Sequence, residues 1–215
     1  MSEEHVVVIF PHPDDESFGA SGTIAKYREK GVPVTYLCGT LGEMGRNMGN
    51  PVFANRETLS SYRKKELEEA AKQLDINVEF LGYRDKTLEF EPIEKVASHL
   101  KEKIEDLNAT LVITHYPGYA VHPDHDALGA AAVEAVKKID SLKRPDVWMH
   151  AISNNHEAEL GEPELIYDIT PYWERKLAAI KAHLSQADGM MSLLNDQPEQ
   201  LERLKTERFY RYSFT

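Results

Sequence analysis

A three-layer α/β sandwich is predicted, built on a mainly parallel sheet of strand order 3-2-1-4-5 with additions at its C-terminal end. Three observations predict it. Apolar runs such as Val6-Val7-Val8-Ile9-Phe10 and Thr110-Leu111-Val112-Ile113-Thr114 do not alternate, as expected of parallel strands covered on both faces. Amphipathic stretches of helical length separate these runs. Acidic, histidine-bearing turns follow the first and the fourth of them, and a doubly wound sheet reverses direction between those two strands. The expectation is therefore Rossmann-like.

The first strand, Val6 to Phe10, leads into Pro11-His12-Pro13-Asp14-Asp15-Glu16. Ser17 to Lys30 reads as one helix with Ile24 and Tyr27 on a shared face and Gly31 as its stop. Pro33 to Cys38 is the second strand. Gly39 to Asn55 holds too many glycines for a helix or a central strand and is expected to be a long loop, with Glu43 and Arg46 as its charged members. Ser60 to Leu74 is an amphipathic helix, Val78 to Leu81 a short third strand, and Gly82-Tyr83-Arg84-Asp85 the loop beyond it. Pro92 opens a helix running to about Leu107, where its missing N–H costs little. The fourth strand, Thr110 to His115, precedes His122-Pro123-Asp124-His125 and an alanine-rich helix from Ala127 to Ile139. Asp146 to Ile152 is the fifth strand. Leu165 to Ile169 is a further strand, Thr170-Pro171 caps a helix running to His183, Gln197 to Leu204 is helical, and Phe209 to Phe214 is a terminal edge strand.

The 215 residues are expected to form one domain, 1–215, without repeats or linkers. A net charge of −11 argues against a nucleic-acid or anionic-membrane surface. No apolar stretch is long enough to span a bilayer, and Met1-Ser2-Glu3-Glu4 lacks the basic start of a signal peptide. Cys38 is the only cysteine, so no internal disulfide can form, and a cytoplasmic location with a buried core thiol fits.

A nucleotide would need a glycine-rich turn free of negative charge, whereas Asp14, Asp15 and Glu16 would repel a pyrophosphate. The same residues suit a divalent cation. His12 and Asp15 stand three apart, a spacing that lets both point one way where a turn enters a helix. With His125 they make two imidazoles and one carboxylate, the donor set of a catalytic zinc site with an open position, although Fe(II) accepts the same ligands. Such a cation acidifies water near neutral pH. Asp14 is then placed to take a proton, His122 to stabilise an oxyanion or donate a proton, and Asp124 to orient an imidazole. Among the other histidines, His5, His99, His150 and His156 read as surface or packing residues, and His115, which ends the fourth strand, as either a satisfied core residue or a support behind the metal ligands.

Phe10 to Glu16, Gly22-Thr23-Ile24-Ala25 and His122-Pro123-Asp124-His125 together resemble the LmbE-like (PIG-L) N-acetylglucosamine deacetylases. Thr40-Leu41-Gly42-Glu43-Met44-Gly45, Arg63-x-x-Glu66, Arg84-Asp85 and Ala182-His183-Leu184-Ser185-Gln186 extend the likeness over nearly the whole chain. The resemblance implies zinc on His12, Asp15 and His125, Asp14 as general base, His122 as its electrophilic or acid partner, and Arg63 and Asp85 as sugar contacts. Arg46 is a further candidate for local positive charge at the substrate. The implied substrate is a small glycoside carrying an N-acetylglucosamine unit. The short acidic chain and the Gly42-to-Pro51 loop resemble the bacillithiol branch, which implies N-acetylglucosaminyl malate. Two other readings are an amidase acting on bacillithiol S-conjugates and a metal-binding protein without hydrolytic activity. Family members often form trimers or hexamers, so a homo-oligomer is expected. In relatives that process mycothiol precursors a tyrosine stands two residues before the first histidine of the HPDH motif. Here Ala120 stands there and Tyr119 one position earlier.

Overall fold

The computed structural model describes residues 4–187, 191 and 198–214. Its strands are β1 (Val6–Phe10), β2 (Val34–Cys38), β3 (Asn77–Phe80), β4 (Leu111–His115), β5 (Asp146–His150), β6 (Leu165–Asp168) and β7 (Thr206–Arg211). They lie in one sheet of order β3-β2-β1-β4-β5-β7-β6, which contains the expected 3-2-1-4-5 core. The β1–β2, β1–β4, β2–β3 and β4–β5 pairs are parallel, and β7 runs antiparallel to both β5 and β6.

Every residue of β1, β2 and β4 is buried, which explains runs without alternation. Successive side chains still point to opposite faces, and each face has its own core. Val7, Ile9, Leu37 and Val112 meet Val96 and Leu100 of α4 (Ile93–Asp106) and Ala131 and Ala132 of α5 (Pro123–Lys137). Val8, Phe10, Tyr36 and Ile113 meet Ile24 of α2 (Ser21–Glu29), Leu67 of α3 (Leu59–Leu74) and Ala179 of α7 (Trp173–Ala182). Cys38 is a buried free thiol in this second core.

Several expectations need correction. The helix expected from Ser17 to Lys30 is two helices, α1 (Asp15–Gly19) and α2, broken at Ala20. The break frees the first amides of α2, and the Glu207 carboxylate of β7 accepts the Gly22 and Thr23 N–H groups at 2.9 and 2.7 Å. Helix α5 begins at Pro123 rather than Ala127, because His122 serves as its N-cap, its ring Nδ1 accepting the Asp124 N–H at 3.1 Å. The terminal strand is Thr206–Arg211 and is not an edge: it is paired on both sides, and β6 forms the edge. Leu165 to Ile169 and Asp146 to Ile152 end as strands at Asp168 and His150. A short helix, α6 (His156–Leu160), was not foreseen, and α8 covers Pro198–Arg203, while Gln197 lies outside the described residues. Among the described residues no helix is long and apolar enough to cross a membrane.

Candidate active site

The turns after β1 and β4 meet at the carboxyl edge of the sheet. His12 Nδ1 stands 3.1 Å from His125 Nε2 and 3.4 Å from Asp15 Oδ2, and His125 Nε2 stands 3.3 Å from Asp15 Oδ1. A tetrahedral ion with bonds of about 2.0–2.1 Å has ligand atoms about 3.3–3.4 Å apart. The two ring nitrogens, each approached by a different oxygen of the Asp15 carboxylate, therefore converge closely enough to face one cation.

Neighbouring groups fix which atom of each ligand faces that point. His125 Nδ1 is 2.8 Å from the Ala120 carbonyl, so it donates its proton there and leaves Nε2 with its lone pair. His12 Nε2 is 3.2 Å from Asp85 Oδ1 and 3.5 Å from Asp124 Oδ2, which places the ring proton on Nε2 and the lone pair on Nδ1. The His12 backbone N–H holds Asp15 Oδ2 at 2.8 Å. Burial alone would raise the Asp15 carboxyl, but His125, His115 and His12 outweigh it and hold it well below the usual carboxylate range. Burial likewise opposes the charge on His12 and His125. For His12 the surrounding Asp124, Asp15 and Asp85 win, and for His125 Asp15 wins, so both imidazoles keep their protons above the ordinary histidine range.

Asp14 stands between His12 and Asp15 at the N-cap of α1 and adopts φ 124° and ψ −28°, a backbone conformation that L side chains rarely take. Its Oδ2 accepts from Arg63 NH2 at 3.1 Å, and burial pushes the carboxyl up to about 6 against the pull of that guanidinium. His122 lies beside His12 and His125, with ring centroids 4.8 and 5.2 Å away. Because its Nδ1 accepts the Asp124 N–H, its remaining proton sits on Nε2. Burial, His12 and His125 lower its pKa, which keeps it a neutral hydrogen-bond donor.

The remaining expected residues are placed as follows. Asp124 is fully buried, its carboxylate accepting the Lys86 and Leu88 N–H groups at 2.7 and 3.2 Å, so it ties the Asp85 loop to α5. Arg63 and Asp85, expected at the sugar, are turned inward. Arg63 donates to Gly42 O, Pro13 O and Asp14, while Asp85 accepts from His12 and from the Met44 N–H. Arg63 Nε is buried and has no hydrogen-bond partner among the described residues. Arg46 is exposed, and its carbonyl accepts from Gln186. Tyr119 is hydrogen-bonded to Glu159, and Ala120 supplies the carbonyl that orients His125.

The 39–55 segment is a loop as expected, and it folds onto the site through Glu43, which accepts the Asp85 N–H at 3.0 Å. Two residues take on more than the sequence suggests. His115 is not a satisfied core histidine: it stacks on His125 at 4.1 Å, and neither ring nitrogen has a hydrogen-bond partner among the described residues. Glu16 is wholly buried, although it was read only as another acidic residue of the turn. The buried positions Ser17 and Gly19 to Ala25 around it carry that signal, since a carboxylate there cannot reach water.

Residues 7–136 match the PIG-L family, described as GlcNAc-PI de-N-acetylase. The probable N-acetyl-alpha-D-glucosaminyl L-malate deacetylase 2 of Bacillus subtilis is 47% identical over 218 residues, covering 99% of both chains. The solved N,N'-diacetylchitobiose deacetylase of Pyrococcus horikoshii superposes with a TM-score of 0.75 at 26% identity, over 98% of this chain and 84% of that one. The 4-carboxy-2-hydroxymuconate hydratase GalB of Pseudomonas putida, at 20% identity and a TM-score of 0.76 over 99% of this chain and 97% of that one, shares the fold alone. One architecture thus carries different chemistries, and what separates them is the site. With its paired histidine-aspartate turns inside the matched region and a relative matched end to end, the chain belongs to the PIG-L family of deacetylases, hydrolases of amide bonds.

Proposed function

We propose that the protein is a zinc-dependent hydrolase that removes the N-acetyl group from N-acetylglucosaminyl malate, the bacillithiol precursor, giving the free amine and acetate. The observation carrying this reading is the His12–Asp15–His125 triangle, with donor atoms 3.1–3.4 Å apart and Asp14 next in the chain. Zinc held by these residues would polarise the acetyl carbonyl and acidify water. Asp14, its carboxyl near 6, takes a proton from the attacking water, a value suited to general-base work close to neutral pH. His122 presents its Nε2 proton to the oxygen on which negative charge develops. The proton taken up by Asp14 is returned to the departing nitrogen. Asp85 and Asp124 keep His12 in the tautomer that presents Nδ1. The substrate assignment comes from the full-length likeness to the Bacillus subtilis protein and its name.

Acetate release from N-acetylglucosaminyl malate, together with metal content, tests the reading. Asp14→Ala is expected to keep its metal and lose about 10²- to 10⁴-fold in kcat. His12→Ala is expected to lose the metal itself. Full turnover in Asp14→Ala would overturn the assignment, and bound iron in place of zinc would correct the metal.

A further inference from the structure

We infer that His183, at the far end of α7, is a positioning residue for Asp14 and acts on it through Glu16. The inference rests on the reading of Asp14 as general base. Glu16 Oε2 accepts the Asp14 backbone N–H at 3.0 Å, and Glu16 Oε1 lies 2.9 Å from His183 Nε2. Both Glu16 and His183 are wholly buried.

The simpler reading is that Glu16 merely caps α1 from within its first turn, as glutamates do at many helix starts. Such caps sit at the surface and need no imidazole. A carboxylate taken fully out of water is costly unless something requires it there. Here the group it holds is the amide of Asp14, whose φ of 124° is unfavourable for any residue with a side chain. Helix α1 has five residues, too few to impose that conformation by its own hydrogen bonds. Tertiary contacts must supply it.

Those contacts form a closed ring. Arg63 of α3 holds the Asp14 carboxylate at 3.1 Å. One turn further along α3, Glu66 accepts from the Ser185 N–H at 2.8 Å and from its Oγ at 2.6 Å. That fixes the helical segment after α7, and with it His183, which returns to Asp14 by way of Glu16. The base is thereby clamped at its carboxylate from α3 and at its backbone from α7.

The test compares kcat, KM and metal content for substitutions at 183. His183→Leu removes the ring donor to Glu16 Oε1, leaving there only the Ser17 hydroxyl at 2.5 Å, and is expected to lower kcat about 10- to 100-fold, the range typical of partners that orient a reacting group, with KM and bound metal unchanged. His183→Gln, whose amide N–H reaches the place of the ring Nε2, is expected to restore kcat to within a few-fold of wild type. If His183→Leu does not fold, His183→Asn replaces it, since its amide is too short to reach Glu16. Added to Asp14→Ala, His183→Leu should lower the residual turnover no further. Normal kcat in His183→Leu (or Asn), a His183→Gln enzyme no better than it, a loss explained by missing metal, or a full extra loss in the Asp14→Ala background would each overturn the inference. Full turnover in Asp14→Ala would instead overturn the reading of Asp14 on which it stands.

Discussion

At the scale of single residues, His12 and His125 are both metal-ligand candidates and proton traps. Their aspartate neighbours outweigh burial and raise both pKa values, so the metal-free protein holds protons where a cation would sit. A group with a raised folded-state pKa stabilises the fold below its unfolded value and loses that contribution as pH rises through the folded value. The metal-free protein therefore gains stability toward acid from these two rings, while the loaded one must give up its ion. The gap in Tm between protein with metal and protein with chelator should shrink from pH 8 to pH 6. Calorimetry in buffers of different ionisation enthalpy should find protons released on binding, about two per ion at the acid end. A Tm gap independent of pH would remove these imidazoles from the ligand set. The three candidate ligands and Asp14 could be picked out of the sequence because clustered ionisable residues at a strand end have few structural uses. Arg63 and Asp85 were legible as important but not as to what they touch, since Asp14 and His12 are their partners only in three dimensions. His183 stood out only as part of the Ala182-to-Gln186 likeness and His115 only as the last residue of a strand, since what each touches is set in three dimensions.

At the scale of elements, the parallel strands could be read because burial on both faces leaves an unbroken apolar run. The break at Ala20 could not, because its cause, the Glu207 carboxylate, arrives from β7 more than 180 residues later. The early start of α5 was hidden for a different reason: a histidine fills the N-cap position that serine or aspartate usually takes. Helix α5 matters most to the site, since its first turn carries His122 and His125. It lies so close to β4 that a Cβ added at Gly129 would stand 2.4 Å from the backbone oxygen of His115. A backbone oxygen cannot swing aside. Gly129→Ala should therefore push the helix off the strand, costing about 1–3 kcal/mol in urea denaturation and weakening metal binding as well. Unchanged metal affinity would mean that the first turn of α5 is held independently of this contact.

At the scale of the whole molecule, the sheet is closed by a strand that comes late in the chain. Strand β7 inserts between β5 and β6, and its Glu207 binds Lys176 of α7 at 2.7 Å as well as the first amides of α2. Lys176 also donates to the Phe18 carbonyl at 2.7 Å, so one buried ion pair joins α1, α2, α7 and β7. Breaking such a pair from one side leaves an uncompensated buried charge, at a cost of about 3–5 kcal/mol. Lys176→Met should lose that much in denaturant titration, and Lys176→Met combined with Glu207→Gln should recover part of it; equal losses in the two variants would show that charge is not what matters there. The position of β7 also bears on how the polypeptide is made. Synthesis runs from the amino end, so every group proposed for catalysis has left the ribosome while β5 still has a bare flank and α2 an uncapped start. The nascent protein must pass through a stage with its chemistry assembled and its sheet open to chance pairing, and only the arrival of residues 206–211 ends that exposure.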